Sequence, residues 1–125
     1  MFLLLLLFQL VICSAADHFK TACSALQQNI NLPNVTVNFA EFVPAKSNVS
    51  LIDNPVSCGA NYQTLYGGDI CRVAMSIETS NQSGLTAEMW LPRDYTGRFL
   101  STGNGGLAGC IYTFLTFKHV RGFIC

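Results

Sequence analysis

The sequence has 125 residues, and its seven basic and seven acidic side chains cancel to no formal net charge. A neutral chain with no basic stripe lacks the electrostatic footprint of nucleic-acid or anionic-membrane binding. Half of its residues are hydrophobic, too many for a disordered tail, and its length suits one domain or a piece of one.

The first sixteen residues, MFLLLLLFQLVICSAA, hold an apolar run from Phe2 to Cys13 that only Gln9 interrupts, followed by small residues. That is the core and cleavage pattern of a secretory signal peptide. The run is too short for a membrane span, which needs roughly 20 apolar residues. The expected organisation is a leader at 1–16, cleaved after Ala16, and a secreted, extracellular body at 17–125. No membrane attachment is expected after cleavage.

From Asp17, the apolar residues Phe19, Cys23, Leu26 and Ile30 recur at helical spacing. They predict a helix capped by Asp17 and ended before Pro33, with Cys23 on its buried face. In NVTVNFAEFVP, Val35, Val37 and Phe39 alternate with Thr36, Asn38 and Ala40, which predicts a strand running towards Pro44. Ala45 to Asp69 show no sustained period and carry Pro55, Gly59, Gly67 and Gly68, so they are expected to form a loop pinned at Cys58. Cys71–Thr79 places Val73, Met75 and Ile77 on one face. Leu85–Leu91 separates Leu85, Ala87, Met89 and Leu91 from Thr86, Glu88 and Trp90. The turn residues Ser80 to Gly84 between them predict an antiparallel hairpin. After the PRDYTGR turn, Phe99 and Leu100 open a short third strand.

That strand leads into STGNGGLAGC, Ser101 to Cys110, which holds four of the ten glycines. Such a cluster allows positive φ, or a close approach of backbone N–H groups to a ligand. A tight turn without chemistry is the bland reading. A dinucleotide fingerprint at Gly103, Gly105 and Ala108 lacks the acidic residue that should follow, since no Asp or Glu occurs after Asp94. A phosphate loop fails because no Gly-Lys-Ser/Thr follows. The third functional reading is the oxyanion loop of a hydrolase, which donates backbone N–H to a tetrahedral intermediate.

No G-x-S-x-G nucleophile motif occurs. Ser101 has glycine on one side only, and Ser57 lies in loop text. His119 has no acid nearby in sequence to orient it, and Glu78, Glu88 and Asp94 read as isolated charges. Beyond Cys13 in the leader, the cysteines are Cys23, Cys58, Cys71, Cys110 and Cys125, widely spaced and without a CxxC pair. They read as disulfide partners in an oxidising compartment rather than as zinc ligands, with one left over. Asn34, Asn48 and Asn81 each head an Asn-x-Ser/Thr glycosylation sequon.

The run from Cys71 to Ile111, CRVAMSIETSNQSGLTAEMWLPRDYTGRFLSTGNGGLAGCI, resembles the tannase and feruloyl esterase family of secreted serine esterases. The shared features are the cysteine-led strand, the Glu-x-Trp-Leu-Pro strand end, the Gly-Arg-Phe-Leu step and the Gly-Asn-Gly-Gly-Leu-x-Gly-Cys loop. Residues 17–70 are similar more loosely. The resemblance implies an α/β class, the N-terminal part of an α/β-hydrolase fold. In it a short helix, an antiparallel hairpin and a third strand lead into a glycine-rich oxyanion loop. It implies a carboxylic ester hydrolase acting on feruloyl or galloyl esters through a Ser-His-Asp triad, with a phenolic ester as the full-length parent's substrate. Gly105 and Gly106 take the oxyanion role by resemblance, and Cys23–Cys71 and Cys58–Cys110 are the implied disulfides.

The family's Cys-Ser-x-Gly-Gly elbow and its later Asp and His-Cys pair do not occur in this chain. No catalytic residue is therefore assigned here, and the domain at 17–125 is expected to be truncated before the catalytic serine and inactive alone. The lid in which family members bind calcium is likewise missing, so no metal site or cofactor is expected. Residues 112–125, YTFLTFKHVRGFIC, match nothing in the family and read as a non-native tail. The alternative is a small secreted disulfide-bridged protein that binds without catalysis.

Overall fold

The computed structural model describes residues 18–51, 54, 56–58, 62–64, 67–101, 109–111 and 123–124. Helix α1 covers residues 18–29. Seven strands follow in chain order: β1 (Val35–Val43), β2 (Asn48–Ser50), β3 (Tyr62–Thr64), β4 (Ile70–Ser80), β5 (Ser83–Pro92), β6 (Arg98–Phe99) and β7 (Phe123–Ile124). β1, β4 and β5 form an antiparallel sheet with β4 in the middle, while β2–β3 and β6–β7 are separate pairs. The described architecture is therefore α+β, one helix on an antiparallel sheet, and its only parallel contact is β6 with β7.

The helix forms where the periodicity placed it, and its face lies on the sheet. Cys23, Cys71, Val73 and Met75 are buried together, with Phe19, Leu26, Ile30, Val35, Val37, Met89 and others packed around them. Fully burying side chains of the size of Val73 and Met75 contributes about 1.5–3 kcal/mol each. Phe19 meets the edge of Phe42 at 6.0 Å between ring centroids. After the helix, Asn34 takes a positive φ of 62°, and its carbonyl accepts the Glu78 N–H at 2.8 Å. The chain thus reverses directly into β1.

The simple alternation expected in β1 does not hold. The register with β4 slips between Val37 and Phe39, so Ala40 and Phe42 join Val35 and Val37 on the helix side. Phe39 turns to the other face, beneath the Arg72 guanidinium at 5.0 Å from its ring centroid. A bulge inserts one residue and reverses the phase beyond it. The freed Asn38 carbonyl accepts from Gln27 Nε2 of α1 at 3.1 Å, so the helix supplies the bond that the ladder gives up there.

The hairpin is tighter than expected. Only Asn81 and Gln82 form the turn, and β5 starts at Ser83. Gly84 sits inside the strand because an added Cβ would meet the Ile77 carbonyl oxygen at 3.1 Å. The described residues within 45–69 are not all loop. They hold β2, β3 and a 3₁₀ turn at Val56–Cys58. Val49 and Leu51 enter a second core with Val43, Ile70 and Trp90 on the sheet face away from the helix. Strands of three residues are too short to show a period, which is why the sequence concealed them. The short third strand pairs with β7, from the tail segment, and not with the main sheet.

Candidate functional site

Gly105, Gly106 and the rest of 102–108 lie outside the described residues, as do His119 and Cys125. What the structure describes is how the glycine segment is held on its C-terminal side. Gly109 adopts a φ of 64°, a left-handed conformation that disfavours any residue with a Cβ. Next to it, Cys110 is buried and disulfide-bonded to Cys58, with their Cα atoms 5.7 Å apart. Ile111 is gripped through its backbone. Its N–H donates to Asn54 Oδ1 at 2.8 Å, and its carbonyl accepts from Asn54 Nδ2 at 3.1 Å.

Asn54 is itself fixed, because its own N–H donates to the Leu51 carbonyl at 3.0 Å and Leu51 is buried in the second core. A continuous mechanical path thus runs from Trp90 through Leu51 and Asn54 to the end of the glycine loop. A cavity of 650 Å³ opens between this end and the hairpin, where Ser76, Leu85 and Thr86 face Gly109 and Ile111. Asn54 lies within Ala45 to Asp69, the stretch expected to be loop. No local motif marks it, since the backbone it recognises lies 57 residues away.

The other disulfide, Cys23–Cys71, joins α1 to the start of β4 inside the first core. The two cross-links span 48 and 52 residues and interleave along the chain. Together they connect the helix, the central strand, the 3₁₀ turn and the glycine-loop flank. Asp69, just before β4, secures the same end of the sheet. Its carboxylate accepts the Ala45 N–H at 3.0 Å and pairs with Arg93 at 3.2 Å.

Glu88 is not an isolated charge. Its carboxylate accepts Arg72 Nε at 2.8 Å and Trp90 Nε1 at 2.8 Å, while Arg72 Nη1 reaches Glu41 at 3.1 Å. Arg72 is the buried charged residue of the core, and Trp90 beside it is almost fully buried. Burial works against the guanidinium charge. The hydrogen bond and charge of Glu88, followed by those of Glu41, outweigh it and raise the Arg72 pKa above its ordinary value. A second cavity of 510 Å³ lies over this cluster, with Phe39, Glu41, Val49 and Arg72 in its wall.

The remaining candidates fall apart spatially. Ser57 and Ser101 are exposed, and His18 is exposed on α1. Among the described residues no three His, Cys, Asp or Glu side chains converge as a metal site, and no described helix is long and apolar enough to cross a membrane. The three sequon asparagines Asn34, Asn48 and Asn81 are all exposed. They occupy the reverse turn before β1, the start of β2 and the hairpin turn.

Comparison with known proteins supplies the context for the glycine segment. No family model matches the chain. Probable feruloyl esterase B of Aspergillus clavatus is 56% identical over 108 residues, covering 86% of this chain and 20% of the relative. Feruloyl esterase C of Talaromyces stipitatus is 53% identical over 111 residues, covering 88% and 21%. Among solved structures, an esterase from Aspergillus oryzae superposes with a TM-score of 0.76 at 50% identity, covering 85% of this chain and 21% of that one. Feruloyl esterase B from the same organism gives 0.66 at 43% identity, covering 74% and 18%. The chain spans about a fifth of the length of these relatives. Over the stretch that it spans, the chain is homologous to fungal feruloyl esterases.

Proposed function

We propose that this chain is the oxyanion-loop portion of a secreted serine esterase that hydrolyses esters of phenolic acids, feruloyl or galloyl. In this reading the attacking serine and its His-Asp partners belong to protein outside this chain. Gly105 and Gly106 present backbone N–H groups to the oxygen that becomes negative in the tetrahedral intermediate. Such donors act where charge develops, and removing one from a well-formed hole costs about 10²–10³ in kcat. Their effect depends on being fixed before the reaction.

The observation that carries the proposal is the anchoring of the glycine-segment flank, by the Cys58–Cys110 disulfide and by Asn54 on Ile111. A glycine turn with no chemistry has no need of two independent anchors on adjacent residues. The sequence block around Gly105 and Gly106 supports the same reading, as do relatives named feruloyl esterase. Their phenolic ester substrates are extended to this chain as part of the proposal.

Two measurements test it. Residues 17–125 alone, lacking nucleophile and base, release no ferulate or gallate from the methyl esters. A chimaera in which residues 17–111 replace the matching segment of the Aspergillus oryzae feruloyl esterase B hydrolyses methyl ferulate. A correctly folded chimaera without turnover overturns the reading, as does serine-dependent activity in residues 17–125.

A further inference from the structure

The bonding of Asn54 is unusual for a residue in an irregular segment. A single side-chain amide satisfies both the N–H and the carbonyl of one distant residue, Ile111, at 2.8 and 3.1 Å. A primary amide presents one acceptor and two donors in one plane, so it mimics a strand partner without a strand. The grip falls one residue beyond the disulfide-bonded Cys110 and two beyond Gly109 with its left-handed backbone.

The two anchors do different work. A disulfide constrains the position of Cys110 but leaves the adjacent peptide planes free to rotate about φ and ψ. Two hydrogen bonds to the backbone of Ile111 set the orientation of its peptide planes, and the direction is transmitted through Cys110 to the left-handed Gly109. An oxyanion donor is useful only when its N–H is aimed, and hydrogen bonds weaken steeply as the angle closes. The Leu51 carbonyl in turn fixes the Asn54 backbone, so the aim is referred to the buried core and not to the surface.

We propose that Asn54 is the positioning residue of the glycine loop, setting the orientation of its C-terminal flank through Ile111. The inference rests on the oxyanion reading for its purpose. Its physical content, however, concerns the loop's hold and is measurable without turnover.

The test is amide hydrogen exchange on the full chain with both disulfides formed, comparing the native protein with Asn54→Ala and Asn54→Asp. In Asn54→Ala, exchange at Ile111 accelerates at least about tenfold, the change expected when a protecting bond is lost locally. Amides in the β4–β5 ladder keep their native rates. In Asn54→Asp at neutral pH, the carboxylate still accepts the Ile111 N–H but has no donor for the Ile111 carbonyl, so exchange at Ile111 lies between the native and Asn54→Ala rates. Below about pH 4, near the ordinary Asp pKa, the protonated carboxyl regains one donor and one acceptor. Exchange at Ile111 then slows further towards the native rate, after correction for intrinsic rates. Unchanged exchange at Ile111 in Asn54→Ala overturns the proposal, as does equal acceleration throughout β4 and β5, or the absence of any slowing in acid for Asn54→Asp. None of these results bears on the chimaera activity, so failure of the grip and failure of the oxyanion reading are separable.

Discussion

Replacing Glu88 by glutamine asks whether charge or packing holds the sheet face away from the helix. The side chains of Arg72 and Glu88 are only 6% and 5% exposed, whereas the other partner, Glu41, is 51% exposed. Removing one member of a buried pair leaves a desolvated charge and costs about 3–5 kcal/mol. Glu41 still neutralises part of the guanidinium, and the new amide retains an acceptor for Arg72 or Trp90. The expected loss therefore lies near the lower end, about 3 kcal/mol. Trp90 is the only tryptophan in the chain and touches the altered group, so its fluorescence reports unfolding of this face directly.

In urea, with a slope of about 1.5 kcal/mol per molar, a loss of that size lowers the midpoint by about 2 M. Glu41→Gln is the control, since a pair with one exposed partner is worth about 1 kcal/mol or less. Its midpoint falls by no more than about 0.7 M. A Glu88→Gln shift as small as the control's would refute the argument from burial. The pH dependence carries a sign as well. A raised folded pKa gives a stabilisation present in full below the unfolded pKa and lost only as pH rises through the folded one. For Arg72 that window lies above the ordinary arginine range, so the guanidinium adds no slope to stability between about pH 6 and 10.

Three further outcomes follow from other parts of the molecule. Changing Cys58 and Cys110 together to serine removes a 52-residue cross-link and lowers stability by about 2–4 kcal/mol in urea titrations; a loss under about 1 kcal/mol would show that Cys23–Cys71 already supplies the constraint. Gly109→Ala costs about 1–2 kcal/mol through its left-handed backbone, because a Cβ there meets nothing within 4 Å. Gly67→Ala, with equally open space and no positive φ, stays within about 0.5 kcal/mol, and equal effects at the two sites would remove the backbone explanation. Expressed in a fungus, the chain reaches the medium with Asp17 at its N-terminus, and peptide N-glycosidase lowers its mass. Retention in the cell, or an intact leader by mass spectrometry, counts against export.

The parts of the fold that were legible are those in which one face repeats. α1 shows it through Phe19, Cys23, Leu26 and Ile30, and β4 through Val73, Met75 and Ile77, because each element buries a single face against the other. The opposite sheet face was legible only in composition. Arg72, Glu88 and Trp90 alternate correctly along their strands, yet polar residues on a strand ordinarily mean solvent. Their burial depends on Val49 and Leu51 folding across them from a segment with no period of its own. Phe39 was misplaced for a related reason: the slip after Val37 is stabilised by Gln27 on another element, and no window along β1 contains that residue.

The candidate site follows the same division, and this bears on how it works. The chemistry proposed for it rests on the glycine cluster, since glycine permits a backbone N–H to approach a ligand closely. Its aim was not legible, because aim comes from groups that must be distant in sequence to be independent of the loop. A loop positioned by its own neighbours would move with them. A flank at 109–111 held by Asn54 is referred to the Leu51 carbonyl, and so to the core that Leu51 shares with Trp90. The Arg72–Glu88 pair then bears on this flank indirectly, since Glu88 holds Trp90, which shares the second core with Leu51. The Glu88→Gln variant accordingly shows faster amide exchange at Ile111 even at urea concentrations where β4 and β5 remain fully folded. If exchange at Ile111 stays native there, the path from the second core to the glycine loop is broken at Leu51.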